Sequence, residues 1–159
     1  MKQVLFLCSG NYYRSRFAEE LFNAVARQRG LAWRAESRGL ELSDGNVGPI
    51  SCHTISALTH AGVTQTSWRL PRAVTREDFQ SADVVVAVKE HEHRAMLMRN
   101  FPDCLTRVEF WHVHDLDCAQ PHETIAELAR RVHELIQRLT TANPPTTAGE
   151  TKPSPREAQ

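Results

Sequence analysis

Hydrophobic and polar positions along this chain switch between two periods, and the switches mark out its elements. Val4 to Leu7 is a short unbroken apolar run, the pattern of a strand buried on both faces of a parallel sheet. A helix is predicted next: Phe17, Leu21, Phe22, Val25 and Ala26 recur at helical spacing, Glu19 and Glu20 fall near its positive start, and Gly30 supplies the stop. Trp33 to Ser37 reads as a second strand, and Leu40 to Pro49 as a loop punctuated by Asp44-Gly45 and Gly48-Pro49. Ser51 caps a compact helix whose apolar positions Ile55, Leu58 and Ala61 end at Gly62. Thr75 to Phe79 forms another short helix. It leads into Asp83-Val84-Val85-Val86-Ala87-Val88, whose valines predict a strand. Glu90 to Arg99 reads as a helix that Pro102 breaks, with His91 and His93, interleaved with Glu90 and Glu92, on its solvated start. Val108 to Trp111 is the last strand. The closing helix begins at Pro121 and turns Ile125, Leu128, Val132, Leu135, Ile136 and Leu139 to one face.

Strands and helices therefore alternate, which predicts an α/β fold: three layers, a parallel sheet with helices on both faces, and a site at the strands' C-terminal ends. From Asn143 to Gln159 the composition turns to Pro, Thr, Ala, Glu and Lys without periodicity. That stretch reads as a disordered tail after one domain over 1–142. The 19 basic and 19 acidic residues cancel, so bulk charge points to neither nucleic acid nor an anionic membrane as partner. No apolar run approaches the roughly 18 residues of a membrane span, and no signal-peptide pattern is present, so a cytoplasmic protein is expected. The four cysteines, Cys8, Cys52, Cys104 and Cys118, show neither zinc-type pairing nor a disulfide framework. Reduced thiols are the expectation.

The first strand runs straight into Cys8-Ser9-Gly10-Asn11-Tyr12-Tyr13-Arg14-Ser15, where a helix opens. Five residues between cysteine and arginine let the loop fold around one tetrahedral oxyanion, its backbone N–H groups turned inward and the helix N-terminus adding partial positive charge. Cys8 then sits under the anion and Arg14 closes over it. The same N–H field favours a thiolate, and the planar fork of arginine meets two phosphate oxygens at once. Asn11 suits the left-handed conformation such a loop requires. Tyr12 and Tyr13 either wall the pocket mouth or pack against the sheet.

These residues resemble the low-molecular-weight protein tyrosine phosphatase family, whose signature is a Cys, five residues, Arg, Ser loop near the start of the chain. Cys8, Gly10, Asn11, Arg14 and Ser15 all fit it. Ser37-Arg38-Gly39, Gly48-Pro49-Ile50-Ser51, the stretch from Arg72 to Phe79 and the Asp83 strand look like later segments of the same family, in the right order. The resemblance implies a Rossmann-like four-stranded parallel sheet of order 2-1-3-4, the first and third strands central. It also implies a phosphomonoesterase without cofactor or metal, acting on a phosphorylated protein or a small phosphomonoester through a cysteinyl phosphate. Cys8 would be the nucleophile, Arg14 the clamp, and Ser9, Gly10, Asn11, Tyr12, Tyr13 and Ser15 the rest of the substrate-binding loop. The family's proton-donating aspartate follows the last strand. Asp115 aligns best with it and Asp117 is the fallback.

The pattern departs in two places. Leu116 and Asp117 replace the family's Pro-Tyr pair beside the acid, removing an aromatic wall. Tyr13 stands where eukaryotic members often carry a second, protective cysteine. Trp68 and Arg69 fall where a variable specificity loop is expected, to touch substrate or to serve structure. Three other readings compete. His112 and His114 alternate and with Asp117 could ligate zinc as a hydrolase. A thioredoxin-coupled arsenate reductase shares the loop, but needs two further neighbouring cysteines where this chain has only Cys104, Cys118 lying far along. A noncatalytic phosphate-binding module would need neither Cys8 nor an acid.

Overall fold

The computed structural model describes residues 1–114 and 120–142. The expected tail over 143–159, together with Asp115, Asp117 and Cys118, lies outside the described residues. Four strands form one sheet in the order β2-β1-β3-β4, with β1 at Lys2–Cys8, β2 at Trp33–Gly39, β3 at Val84–Ala87 and β4 at Val108–Phe110. Every pairing is parallel. Cys8 stands opposite Gly39 at the end of the β1–β2 ladder, and Leu7 opposite Ala87 on β3. The helices are α1 (Arg14–Gln28), α2 (Cys52–His60), α3 (Arg76–Ser81), α4 (Glu90–Asn100) and α5 (Pro121–Ala142), with a 3₁₀ turn at Pro102–Arg107.

Successive β1 side chains point to opposite faces, and this sorts the core into two halves. Val4, Phe6 and Cys8 pack with α1, α2 and α5 through Phe17, Phe22, Leu58, Leu128 and Ile136. Leu5 and Leu7 pack on the other side with Phe79 of α3, Leu97 of α4 and Cys104 of the 3₁₀ turn. Both central strands are buried on both faces, which explains their unbroken apolar runs. The expected caps are in place. The Ser51 hydroxyl accepts from His53 N–H at 3.2 Å, Thr75 and Asp78 form a reciprocal capping box, and Gly30 and Gly62 end α1 and α2 with positive φ.

Candidate active site

Among the described residues, the candidates of the anion loop gather where β1 ends; Asp115 and Asp117 lie outside them. The carbonyl of Cys8 accepts from Leu40 N–H, that of Ser9 from Glu41 N–H, that of Tyr12 from Ser51 N–H at 3.0 Å, and that of Tyr13 from Phe17 N–H and the Thr54 hydroxyl. Each carbonyl is thus turned outward. A planar trans peptide points its N–H the opposite way, and no described peptide is cis. The N–H groups of Ser9, Gly10, Tyr13 and Arg14 therefore face the inside of the loop, as an anion nest requires.

Asn11 is the residue around which the loop turns. It is the one non-glycine among the described residues with positive φ, 51°, and it is fully buried. Its amide nitrogen donates to Ser15 Oγ at 3.0 Å and to Ser37 Oγ at 2.9 Å. Its carbonyl accepts from Arg69 Nη1 at 2.9 Å and from Arg72 N–H at 3.0 Å. Ser15 Oγ lies 2.9 Å from Cys8 Sγ. The oxygen accepts from Asn11 and from the Cys8 thiol, and once Cys8 ionises the serine's own proton can turn to the sulfur. The close approach behind the loop also explains Gly39: a Cβ there would lie 2.8 Å from the carbonyl oxygen of Ser9 and 3.1 Å from Asn11 N.

Arg14 is buried at the start of α1, its Nη1 donating to the Val113 carbonyl at 3.4 Å and its Nη2 lying 3.6 Å from Glu92 Oε1. Glu92 also lies 3.8 Å from the Lys89 ammonium and accepts from the Ser9 hydroxyl. Beside it, His93 corrects the sequence reading. His91 is exposed, but His93 is fully buried rather than solvated. Lys89 N–H donates to His93 Nδ1 at 3.1 Å, so the ring's proton sits on Nε2 and is aimed at Ser9 Oγ, 3.1 Å away. Desolvation, with the Arg14 and Lys89 charges helping, lowers its pKa to about 3. A neutral imidazole with no free lone pair toward Ser9 cannot be its base, so the Ser9–His93 contact holds the loop and activates nothing.

A second buried charge cluster lies under the other side of the loop. Glu19 accepts from Arg69 Nη2 at 3.0 Å and from the Ser37 hydroxyl, and burial raises its pKa against the pull of Arg69. Glu20 accepts from Thr66 N–H, the Thr66 hydroxyl and Ser67 N–H. Arg16, fully buried, donates to the carbonyls of Pro49, Ser67 and Arg69. Glu19 and Glu20 are thus tertiary ligands of a distant loop, not solvated charges at a helix start.

A cavity of about 560 Å³ opens above Cys8, Ser9, Gly10 and Arg14, with Tyr12, Glu41, Asn46, Cys52 and His53 around it. Both tyrosines line it. Tyr12 stands half-exposed at the mouth, its hydroxyl donating to the Val47 carbonyl at 2.6 Å. Tyr13 is buried, edge-on to His53 with ring centroids 6.0 Å apart. The arrangement can hold a tetrahedral dianion between inward N–H groups and a guanidinium, with a thiol in line beneath it. Cys104, needed by an arsenate relay, lies in the core half on the opposite face of the sheet from Cys8. His112 and His114 stand side by side and exposed, 5.1 Å between rings, while their third proposed ligand lies outside the described residues. Among the described residues no group of three or more His, Cys, Asp or Glu side chains is placed to hold a metal, and no helix is long and apolar enough to cross a membrane.

Comparison with known proteins gives a consistent result. The family profile described as low molecular weight phosphotyrosine protein phosphatase matches residues 3–143. The chain is 32% identical over 98 residues to a protein-arginine-phosphatase of Bacillus subtilis, a stretch covering 62% of each chain. It is 29% identical over 119 residues to the low molecular weight phosphotyrosine protein phosphatase of Sus scrofa, covering 72% of this chain and 73% of that one. The crystal structure of a low molecular weight protein tyrosine phosphatase from T. tengcongensis superimposes with a TM-score of 0.73 at 27% identity, covering 87% of this chain and 99% of that chain.

Proposed function

Because this chain belongs to the low molecular weight phosphotyrosine protein phosphatase family, we propose that it is a metal-independent phosphomonoesterase working through a cysteinyl phosphate. The Cys8 thiolate attacks phosphorus in line while the inward N–H groups and Arg14 hold the equatorial oxygens. The P–O bond to the leaving group breaks, and Asp115 gives its carboxylic proton to the departing oxygen. Asp115, now a carboxylate, takes a proton from the water that attacks the cysteinyl phosphate. Inorganic phosphate leaves and the thiolate is restored.

The observation that carries this reading is the buried contact between Cys8 Sγ and Ser15 Oγ, 2.9 Å apart, with Asn11 holding the serine in place. A serine proton directed at sulfur stabilises the thiolate both as attacker and as leaving group, a provision that phosphate binding alone does not need. The proposal includes one catalytic domain over 1–142 followed by a tail. It also includes a cytoplasmic setting, in keeping with the free cysteines Cys8, Cys52 and Cys104. The substrate is a phosphorylated protein or a small phosphomonoester. The Bacillus subtilis relative is named for arginine phosphate, so phosphoarginine belongs beside phosphotyrosine in a substrate panel. The test is hydrolysis of an aryl phosphate in excess chelator, with and without vanadate: turnover should survive the chelator and be abolished by vanadate. Loss of turnover on chelation would contradict the reading.

A further inference from the structure

We propose that Glu92 is a positioning residue whose negative charge weakens the hold of the phosphate loop on inorganic phosphate and so lets the product leave, with Lys89 as its counterweight. The proposal rests on the phosphatase reading and concerns the last step of that cycle.

Glu92 stands directly behind the anion seat. Ser9 and Arg14 line the cavity, and Glu92 lies outside its lining but meets both. Its Oε1 accepts from the Ser9 hydroxyl and lies 3.6 Å from Arg14 Nη2, while its Oε2 faces the Lys89 ammonium at 3.8 Å. A phosphate oxygen held on that Arg14 nitrogen at about 2.8 Å therefore sits within about 6.5 Å of the carboxylate. Glu92 acts on the anion through the clamp it holds and through its field.

Two buried cations share this one side chain, since Arg14 and Lys89 are each less than a tenth exposed. Burying them is costly without a partner. His93 adds no charge, although its Nε2 lies 3.7 Å from Oε1: burial, with the Arg14 and Lys89 charges, lowers its pKa to about 3. Neutralising Glu92 thus raises the charge beside the anion seat by a full unit.

The loop needs such a restraint. Inward N–H groups, a helix N-terminus and a guanidinium bind inorganic phosphate through the same oxygens they use on the ester, and binding that product shares with substrate slows its release without speeding the chemistry. A full charge about 6 Å away, at the effective dielectric of a partly wet interior, changes anion affinity by more than tenfold. Glu92 is 28% exposed, so solvent screens part of this, leaving roughly tenfold.

The test is calorimetric titration with inorganic phosphate, near neutral pH, of wild type, Glu92→Gln, Glu92→Asp and Lys89→Met, with p-nitrophenyl phosphate turnover measured alongside. Glutamine keeps an acceptor for Ser9 and Arg14 but removes the charge, so the Kd for phosphate should fall roughly tenfold. Phosphate should then inhibit turnover of that variant at correspondingly lower concentration. Aspartate keeps the charge and should bind phosphate no more tightly than wild type. Lys89→Met removes the counterweight and should raise the Kd severalfold, which keeps the proposal testable if Glu92→Gln does not fold. A purely structural role for Glu92 predicts the opposite sign for glutamine, because a misplaced arginine loosens the anion. Equal or weaker phosphate binding by Glu92→Gln, tighter binding by Glu92→Asp, or an unchanged Kd in Lys89→Met would each overturn the proposal. A wild type that binds phosphate but does not hydrolyse p-nitrophenyl phosphate would remove the phosphatase reading itself, a failure that the turnover arm reports separately.

Discussion

Replacing His93 with glutamine removes a titration that burial has displaced. The imidazole is fully buried between Lys89 N–H and Ser9 Oγ, and desolvation lowers its pKa from 6.5 to about 3. An unfolded chain takes up this proton near pH 6.5, and the folded one only near pH 3. Between those values the unfolded state binds more protons, so stability falls as pH falls. The contribution is complete above pH 6.5 and is lost progressively toward pH 3. At about 1.36 kcal/mol per unit, the roughly 1.5 units between 6.5 and 5 withdraw about 2 kcal/mol from the folded state. Glutamine does not titrate, and every other group is common to both proteins. Urea unfolding of each at pH 7 and pH 5 should therefore show the wild type losing about 2 kcal/mol more than His93→Gln over that step. Equal losses in the two proteins, or a resonance assigned to the His93 imidazole (absent from His93→Gln) titrating near pH 6.5 in the folded wild type, would refute the buried neutral histidine.

Three further outcomes follow from the same geometry. Arg14→Lys should lower kcat for an aryl phosphate by roughly 10²–10³-fold, since a point charge cannot follow the planar oxygens of the transition state; steady-state kinetics decide it. Asn11→Ala forces alanine into a left-handed backbone and strips partners from Ser15, Ser37 and Arg69, so urea unfolding should register a loss of roughly 2–4 kcal/mol. Asp115→Asn should slow phosphates with poor leaving groups far more than those with good ones, and Asp117→Asn should leave that dependence nearly unchanged. A steepened dependence in the Asp117 variant alone would transfer the role.

The parts of the fold written in local pattern were legible. Val4 to Leu7, the Asp83 valine run and the periodic α5 specify their elements through short-range burial, and the spacing from Cys8 to Ser15 specifies an anion loop. What remained hidden depends on partners far along the chain. His93 sits in an alternating Glu-His-Glu-His run that reads as solvated, yet its contact is Ser9, 84 residues earlier. Glu19, Glu20 and Arg16 look like the polar face of an amphipathic helix. They are buried because the loop over 64–72 lies across them and needs its backbone groups satisfied. The signal available in sequence was the density of charge in the first two turns of α1, where an apolar stripe alone would have sufficed. Arg69 was marked only by its place in the expected specificity loop, with both roles open, and the structural one follows from the left-handed Asn11 it supports.

The most direct test of the central claim is capture of the covalent intermediate. Wild-type protein mixed with an aryl phosphate and quenched in denaturant near neutral pH within the first turnovers should carry one phosphate, and peptide mapping should place it on Cys8. Cys8→Ser should bind vanadate or phosphate but show neither turnover nor a released phenol burst. Sustained turnover by Cys8→Ser, or rapid hydrolysis by the wild type with phosphate on no cysteine, would contradict the mechanism.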